Sequence, residues 1–404
     1  MKRLFFLIAA LAGVLAAFTG CTRFSNSVEP VINQVPDDRL NDPSQVNFMI
    51  IGVQQRFSTA LAQTMVLASG LSDEFFFDQR VPNATFPTFN EIDLGDIRTD
   101  NNSVDGAYNP LGELRFFADD LVRRVGAITI TDAALQKRAL YTGYLFGGIA
   151  RYLYAGYFGL NPTEGGGVID NGPFIPSEQM YDLALEKLQQ ALNNASNDAE
   201  RRVVNSLVAR IHLIRGNFAA ARTAATAGMI SGDAPLQGKY NTLSTNYYWQ
   251  QAGLGRPQYV ADARFLNYVT ADPKEKNRIA LSPITGTGGL VFQRQAKYAT
   301  ESTPIDFMSW QENELMLAEL DVREGNSAAA LTHVNAVRAS HQLDPLTAID
   351  LDGIYVERDK ELFVTGIRLI DQRRFNRFHL PAGKWQYLPI TDDERNNNPN
   401  LKGK

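Results

Sequence analysis

Ala209 to Ala221 reads ARIHLIRGNFAAA, and Ala318 to Ala330 reads AELDVREGNSAAA. The first alanine, the Gly-Asn pair and the three closing alanines fall at identical spacing in both stretches. Upstream of the first copy, Val203, Val204, Leu207, Ile211 and Ile214 recur at three- and four-residue intervals, the signature of an amphipathic helix. Gly216-Asn217 then turns the chain, and Phe218 to Met229 reads as a short alanine-rich partner helix whose small side chains let two helix axes approach closely. A helix, a Gly-Asn turn and an alanine-rich helix returning is the pattern of a tetratricopeptide hairpin. Its recurrence predicts an all-α scaffold of such hairpins.

Working outward, the same periodicity predicts a first helix with Ser44 as N-cap, carrying Val46, Met49, Ile50, Val53, Phe57, Leu61, Met65 and Ala68, and ending at Gly70. Further helices are expected over about 111–125, 132–158 and 178–193. Asn197-x-x-Glu200 resembles a capping box at the start of the helix that leads into the first Gly-Asn turn. Long loops separate these hairpins, unlike a continuous solenoid, so the expectation is one compact scaffold over 44–404 with long insertions. Over about 233–304 the helical periodicity fades into a stretch rich in Tyr, Gly, Thr and Asn. This is the expected loop-rich, ligand-facing region.

The chain has 404 residues, a single Cys and a formal net charge of −5, with 39 basic and 44 acidic side chains. No long basic run is present, which argues against a partner that is nucleic acid. Lys2 and Arg3 precede an uncharged apolar run from Leu4 to Phe18, shorter than the ~20 residues a membrane span needs. Thr19-Gly20-Cys21 then resembles a bacterial lipobox, with Phe18 where Leu is usual. The reading is a lipoprotein signal peptide over 1–20, lipidation at Cys21, and a polar tether over 21–43 that reaches about 25–30 Å as a random coil.

The second half carries a family resemblance. Met308 to Arg338 reads MSWQENELMLAELDVREGNSAAALTHVNAVR, Ile354 to Asn376 reads IYVERDKELFVTGIRLIDQRRFN, and Trp385 to Leu401 reads WQYLPITDDERNNNPNL. In that order they resemble the C-terminal blocks of the SusD/RagB family of nutrient-uptake lipoproteins, through Asn335 and Arg338, Glu357-Arg358, Gly366 and Arg368, Asp371 and Arg374, and Asn398 to Leu401. Tyr157-Phe158-Gly159 ahead of a proline-rich loop fits the same pattern. The resemblance implies a helical scaffold with a loop-rich face, lipid-anchored at the outer membrane. It also implies a SusC-like TonB-dependent transporter as partner, a glycan or peptide as ligand, and no catalysis or cofactor. This chain is shorter than is usual for the family and has no acidic run after Cys21.

The family's aromatic ligand platform has no fixed motif, so candidate binding residues come from chemistry alone. Asn246-Tyr247-Tyr248-Trp249 is the densest aromatic cluster of the irregular region. Sugar C–H faces stack on flat rings and an amide reaches their hydroxyls, which makes these four the candidate ligand-binding residues. The alternative is a loop packed by its own rings. Asp262 and Arg264 are expected to tie the loop down, and Trp310 and Trp385 to serve the core. Asp73-Glu74 beside Phe75 to Phe77 superficially resembles a catalytic carboxylate pair, but such residues at a helix end more often cap or pair with Arg. Glu357, Arg358, Glu361 and Arg368 are expected on one helix as a buried ion-pair network, with Glu357 and Glu361 facing one guanidinium. His212, His333, His341 and His379 lack metal-ligand spacing. Gly286 to Gly289 lacks the context of a phosphate loop, and Asp392 to Glu394 lacks calcium-loop spacing. Three functions remain: a ligand-capture lipoprotein, an assembly scaffold of an envelope complex, and, with no supporting constellation, a glycoside hydrolase.

If Cys21 carries the anchor, wild type partitions into the membrane fraction and Cys21→Ser appears in the soluble fraction. Identical partitioning of the two proteins sinks the anchor.

Overall fold

The computed structural model describes residues 37–403, so the signal peptide, Cys21 and the tether as far as residue 36 lie outside the described residues. Asp37–Asn41 and Pro43–Gln45 are short 3-10 turns, Ser44 lies in the second of them, and they belong to a separate unit. From Val46 onward the chain forms one unit.

That unit is built on helix α1, Val46–Leu71, whose apolar stripe is buried from Val46 to Leu71. The helix runs one residue past the expected stop. Gly70 serves packing instead, because a Cβ there would lie 2.3 Å from the Tyr259 ring. After α2 (Pro87–Asp93), α3 (Asn102–Ala127) and α4 (Ala133–Tyr157) pack against α1 and each other. The apolar spacing predicts this helix over about 111–125, just after Pro110. The helix instead passes through Pro110 and starts two turns earlier, where Asn101 Oδ1 accepts from the Ser103 and Val104 N–H groups at 3.1 and 3.2 Å.

Helix α5 (Ser177–Asn194) packs on α4. The two hairpins follow: α6 (Asp198–Ile214) with α7 (Phe218–Thr226), and, beyond the insertion, α10 (Trp310–Arg323) with α11 (Ser327–Ser340). Gly216 and Gly325 both adopt left-handed backbone, at φ +73° and +80°, which glycine accepts without strain and which ends the first helix of each pair. Ala221 and Ala330 are fully buried where the helices of each hairpin meet. Polar groups join the hairpins to each other. Asn313 accepts from Ser206 at 2.9 Å and donates to the Ala225 and Met229 carbonyls, while Arg210 Nε donates to Glu312 at 2.8 Å.

The insertion holds two short helices, α8 (Tyr247–Ala252) and α9 (Ala263–Ala271), among short strands. Two-stranded pairings fasten it to the scaffold. Strand β1 (Phe75–Phe77) runs antiparallel to β6 (Tyr259–Ala261), and β5 (Leu236–Gly238) to β9 (Ile305–Met308), while β7 (Leu281–Thr285) and β8 (Val291–Gln295) form a hairpin. Elsewhere β3 (Gly166–Gly167) pairs with β4 (Ile175–Pro176), and β2 (Phe158–Gly159) pairs in parallel with β10 (Leu388–Pro389).

Helices α12 (Leu351–Glu361), α13 (Arg368–Arg374) and α14 (Asp392–Asn397) complete the chain. Arg368 therefore does not share a helix with Glu357, Arg358 and Glu361. Val364 and Gly366, at φ +58° and +74°, turn the chain between α12 and α13, and Gly366 packs on Met65 with no room for a Cβ. The expected ion-pair network is present. Arg278 reaches Glu357 at 2.9 Å and Glu361 at 3.7 Å, so one guanidinium does face both carboxylates. Arg358 and Arg374 share Asp371 at 2.8 and 2.7 Å. Among the described residues no helix is long and apolar enough to cross a membrane.

The hairpin contacts make a quantitative expectation. Ala221→Leu and Ala330→Leu each overpack a fully buried site and lower stability by ~1–3 kcal/mol in denaturant melts. Unchanged midpoints at both sites would mean that the hairpins do not pack as described.

Candidate functional site

Helix α8 carries the four residues singled out in the sequence, and it sorts them into two pairs. Asn246 is its N-cap. The Asn246 Oδ1 accepts from Trp249 N–H at 3.1 Å and its Nδ2 donates to the Thr303 carbonyl at 2.7 Å, leaving the residue 0 % exposed. Tyr248 is also 0 % exposed. The Tyr248 hydroxyl donates to the Met65 carbonyl at 3.0 Å and lies 2.8 Å from Ser69 Oγ, and its ring packs near Phe75 and Tyr298. Asn246 and Tyr248 are therefore not placed to touch a ligand, which corrects the expectation for half of the cluster. The physical reason is helical: Tyr248, Gln251 and Ala252, at three- and four-residue spacing, form the buried face of α8. Tyr247 and Trp249 are half-buried and stand off that face.

Tyr247 lines a cavity of about 430 Å³ between α8 and the outer flank of α1. Gln55, Arg56, Thr59 and Gln63 come from α1, at the three- and four-residue steps that complement its buried stripe, and Thr245 and Gln250 close the other side. Burial pushes the Tyr247 hydroxyl up to about 12, so it remains a neutral donor at physiological pH. Gln63 Oε1 is buried and has no hydrogen-bond partner among the described residues. The lining thus combines a ring, amides, hydroxyls and one guanidinium, and that guanidinium is paired with Glu113 at 2.7 Å. The chemistry of such a surface suits stacking on and hydrogen-bonding to a neutral polyhydroxylated ligand. Sequence reasoning missed Gln55, Arg56, Thr59 and Gln63 because it used only the apolar face of α1; the polar face of the same helix was the available signal.

The loops beside α8 are held in place. Gly255 and Arg256 N–H groups return to the Trp249 and Gln250 carbonyls at 2.9 and 2.7 Å. Gln258, fully buried, accepts from the Thr85 and Phe86 N–H groups at 3.0 Å each and donates to the Asn83 carbonyl at 2.7 Å. Arg256 lies 4.7 Å from the Phe86 ring centroid.

The remaining candidates are structural. Asp262 caps α9, and Arg264 joins Asp73 at 3.0 Å and Asp359 at 2.8 Å, so both tie the insertion down as expected. Trp310 packs against the core of the second hairpin. Asp73 is engaged by Arg264 and Arg368, and Glu74 accepts from the Val364 N–H at 2.8 Å, so neither is placed as a catalytic carboxylate. His333 meets Glu314 and Asp321, and His341 meets Glu361.

No protein-family model and no curated protein matches this sequence. Among solved structures, a SusD superfamily protein from Bacteroides thetaiotaomicron superposes with a TM-score of 0.74 at 16% identity, over 89% of this chain and 98% of that one. The chain has a SusD-like fold. Surface glycan-binding protein A from Bacteroides uniformis matches this SusD-like scaffold with a TM-score of 0.68 at 14% identity, over 89% of this chain and 99% of that one. A structure solved with xylogluco-oligosaccharide matches with a TM-score of 0.66 at 14% identity, over 83% of each chain. The fold implied by the C-terminal blocks is thus the fold observed.

Glu74 provides a pH test of the wall behind α8. Burial raises its carboxyl from an ordinary value of 4.5 to about 7, against opposing hydrogen bonds from Ser69 and Val364. The stability that the neutral carboxyl contributes is fully present below pH 4.5 and is lost as the pH rises through about 7. Glu74→Gln removes this loss, so its stability relative to wild type rises by roughly 2–3 kcal/mol between pH 5 and pH 8 in denaturant melts. A pH-independent difference would show that Glu74 does not titrate in this range.

Proposed function

We propose that this chain is a SusD-like outer-membrane lipoprotein that captures oligosaccharides, with peptides as the alternative cargo, and hands them to a SusC-like TonB-dependent transporter. The observation that carries the reading is the α8–α1 cavity. It offers the partly exposed Tyr247 ring with the amides of Gln55, Gln63 and Gln250 and the hydroxyls of Thr59 and Thr245, on a scaffold shared with a surface glycan-binding protein and with a structure that holds a xylogluco-oligosaccharide. In this reading Tyr247 stacks on a sugar ring, the Gln55 and Gln250 amides reach sugar hydroxyls, and Trp249 contributes at the edge of the same helix. The membrane anchor at Cys21 keeps the cavity near the transporter. No step of the proposal requires bond cleavage, in line with a binding role.

Calorimetry of full-length protein against neutral oligosaccharides, beginning with xyloglucan-derived ones, tests this. Tyr247→Ala weakens binding by tenfold or more, about 1.4 kcal/mol or above, and leaves the melting midpoint near wild type. Tyr248→Ala acts differently: it lowers stability by about 3–5 kcal/mol, as expected for truncating a large buried ring. Equal affinity of wild type and Tyr247→Ala for every sugar that binds moves the site elsewhere. Failure of all sugars to bind leaves peptide capture or the scaffold-only role in the envelope.

A further inference from the structure

A second cavity lies beyond the Arg56–Glu113 ion pair. It also measures about 430 Å³, and Arg115, Phe116, Phe117 and Asp170 contribute to its walls above the buried Tyr108 and Tyr154. Arg56 lines the Tyr247 cavity and Glu113 lines this one, so their 2.7 Å contact is a wall common to both. The Arg56 guanidinium also lies 5.8 Å from the Phe117 centroid.

Two features mark the second cavity as more than a surface irregularity. Phe116 and Phe117 are 51 % and 38 % exposed, with ring centroids 6.0 Å apart and planes inclined at 57°. Single exposed apolar residues are ordinary, but two adjacent rings at the mouth of a cavity offer a stacking surface. Arg115 is only 9 % exposed, it is held by Asp170 at 2.6 Å, and its Nε has no hydrogen-bond partner among the described residues. Asp170 itself sits at φ +52°, a backbone state Asp tolerates better than most residues, with its side chain 70% exposed.

We infer that the two cavities are the two ends of one ligand track, occupied by an extended neutral oligosaccharide that stacks on Tyr247 at one end and on Phe116 and Phe117 at the other. The inference rests on the glycan-capture reading and specifies its ligand. Charge argues for a neutral occupant. Arg56 with Glu113 and Arg115 with Asp170 neutralise each other within the walls, Glu394 adds a carboxylate to the second cavity that disfavours an anion, and rings, amides and hydroxyls remain available. Length argues for an oligosaccharide. Gln63 beside Tyr247 and Arg56 beside Phe117 are two helical turns apart, about 10 Å of rise, more than one sugar ring covers. Joining two modest sites through one chain makes the second contact intramolecular, so affinity climbs with chain length once both ends are reached.

The test is calorimetry of full-length protein with xyloglucan-derived oligosaccharides of one, two and three repeat units. Wild type gains tenfold or more in affinity across the series. The Phe116→Ala, Phe117→Ala double variant binds the shortest sugar as wild type does and loses the gain. Asn109→Trp, an exposed position on the second cavity's wall, blocks the gain without removing either ring. Tyr247→Ala weakens every member of the series. A length gain that survives both the double variant and Asn109→Trp overturns the track while leaving the Tyr247 site standing. A series that Tyr247→Ala does not weaken overturns the capture site and the track with it.

Discussion

Two guanidiniums and two carboxylates hold the 233–304 insertion to the scaffold. Arg368 Nε meets Asp73 at 2.6 Å and Asp359 at 3.3 Å, and Arg264 meets Asp359 at 2.8 Å and Asp73 at 3.0 Å. These four residues come from the turn just after α1, the insertion, α12 and α13. Burial alone would raise the Asp73 carboxyl, but Arg368 and Arg264 hold it below its ordinary range. Charges withdrawn from water in this way are costly singly and tolerable only as a set: losing one partner leaves an uncompensated charge, typically a loss of about 3–5 kcal/mol. Tyr355 and Phe265 lie under the two guanidiniums at 4.3 and 4.4 Å, which fixes their planes as well as their positions. The position of α9, and through β6 the position of β1, follows from this cluster.

The scaffold was legible in the sequence because its determinants are local. Helical spacing, the Asn197 cap and the repeated Gly-Asn turn each act over a few residues, and the helices appear where those signals stand. The errors have local causes too. Pro110 hid the first two turns of α3, since the Asn101 cap outweighs the missing N–H. Val364 and Gly366 separated Arg368 from the helix assigned to it. The pairing of Phe75–Phe77 with Tyr259–Ala261, and the Gln258 side chain that spans Asn83 to Phe86, join segments distant in sequence, and no local period announces them.

The Asn246–Trp249 cluster was legible only in part, and its two halves divide by physical role. An amide before two tyrosines reads equally well as a sugar contact or a helix cap, because both use the same acceptor geometry. Only the partner decides, and for Asn246 the partners are backbone groups. The sequence did hold a clue to Tyr248 in its spacing to Gln251 and Ala252, but a helix of six residues gives periodicity too little length to stand out.

On the proposed capture role, the buried half of the cluster is what would make the exposed half usable. An aromatic ring on a free loop loses conformational entropy when it meets a ligand, and that loss reduces affinity. Tyr247 is spared much of it. The Asn246 cap fixes the start of α8, the Tyr248 hydroxyl fastens the helix to Met65 and Ser69 of α1, and the return of Gly255 and Arg256 onto α8 closes its far end. Because α1 also supplies Arg56, Thr59 and Gln63, one rigid helix sets the distance between the ring and the polar groups facing it. On the proposed capture role, residues hidden from solvent would govern recognition as firmly as those that line the cavity.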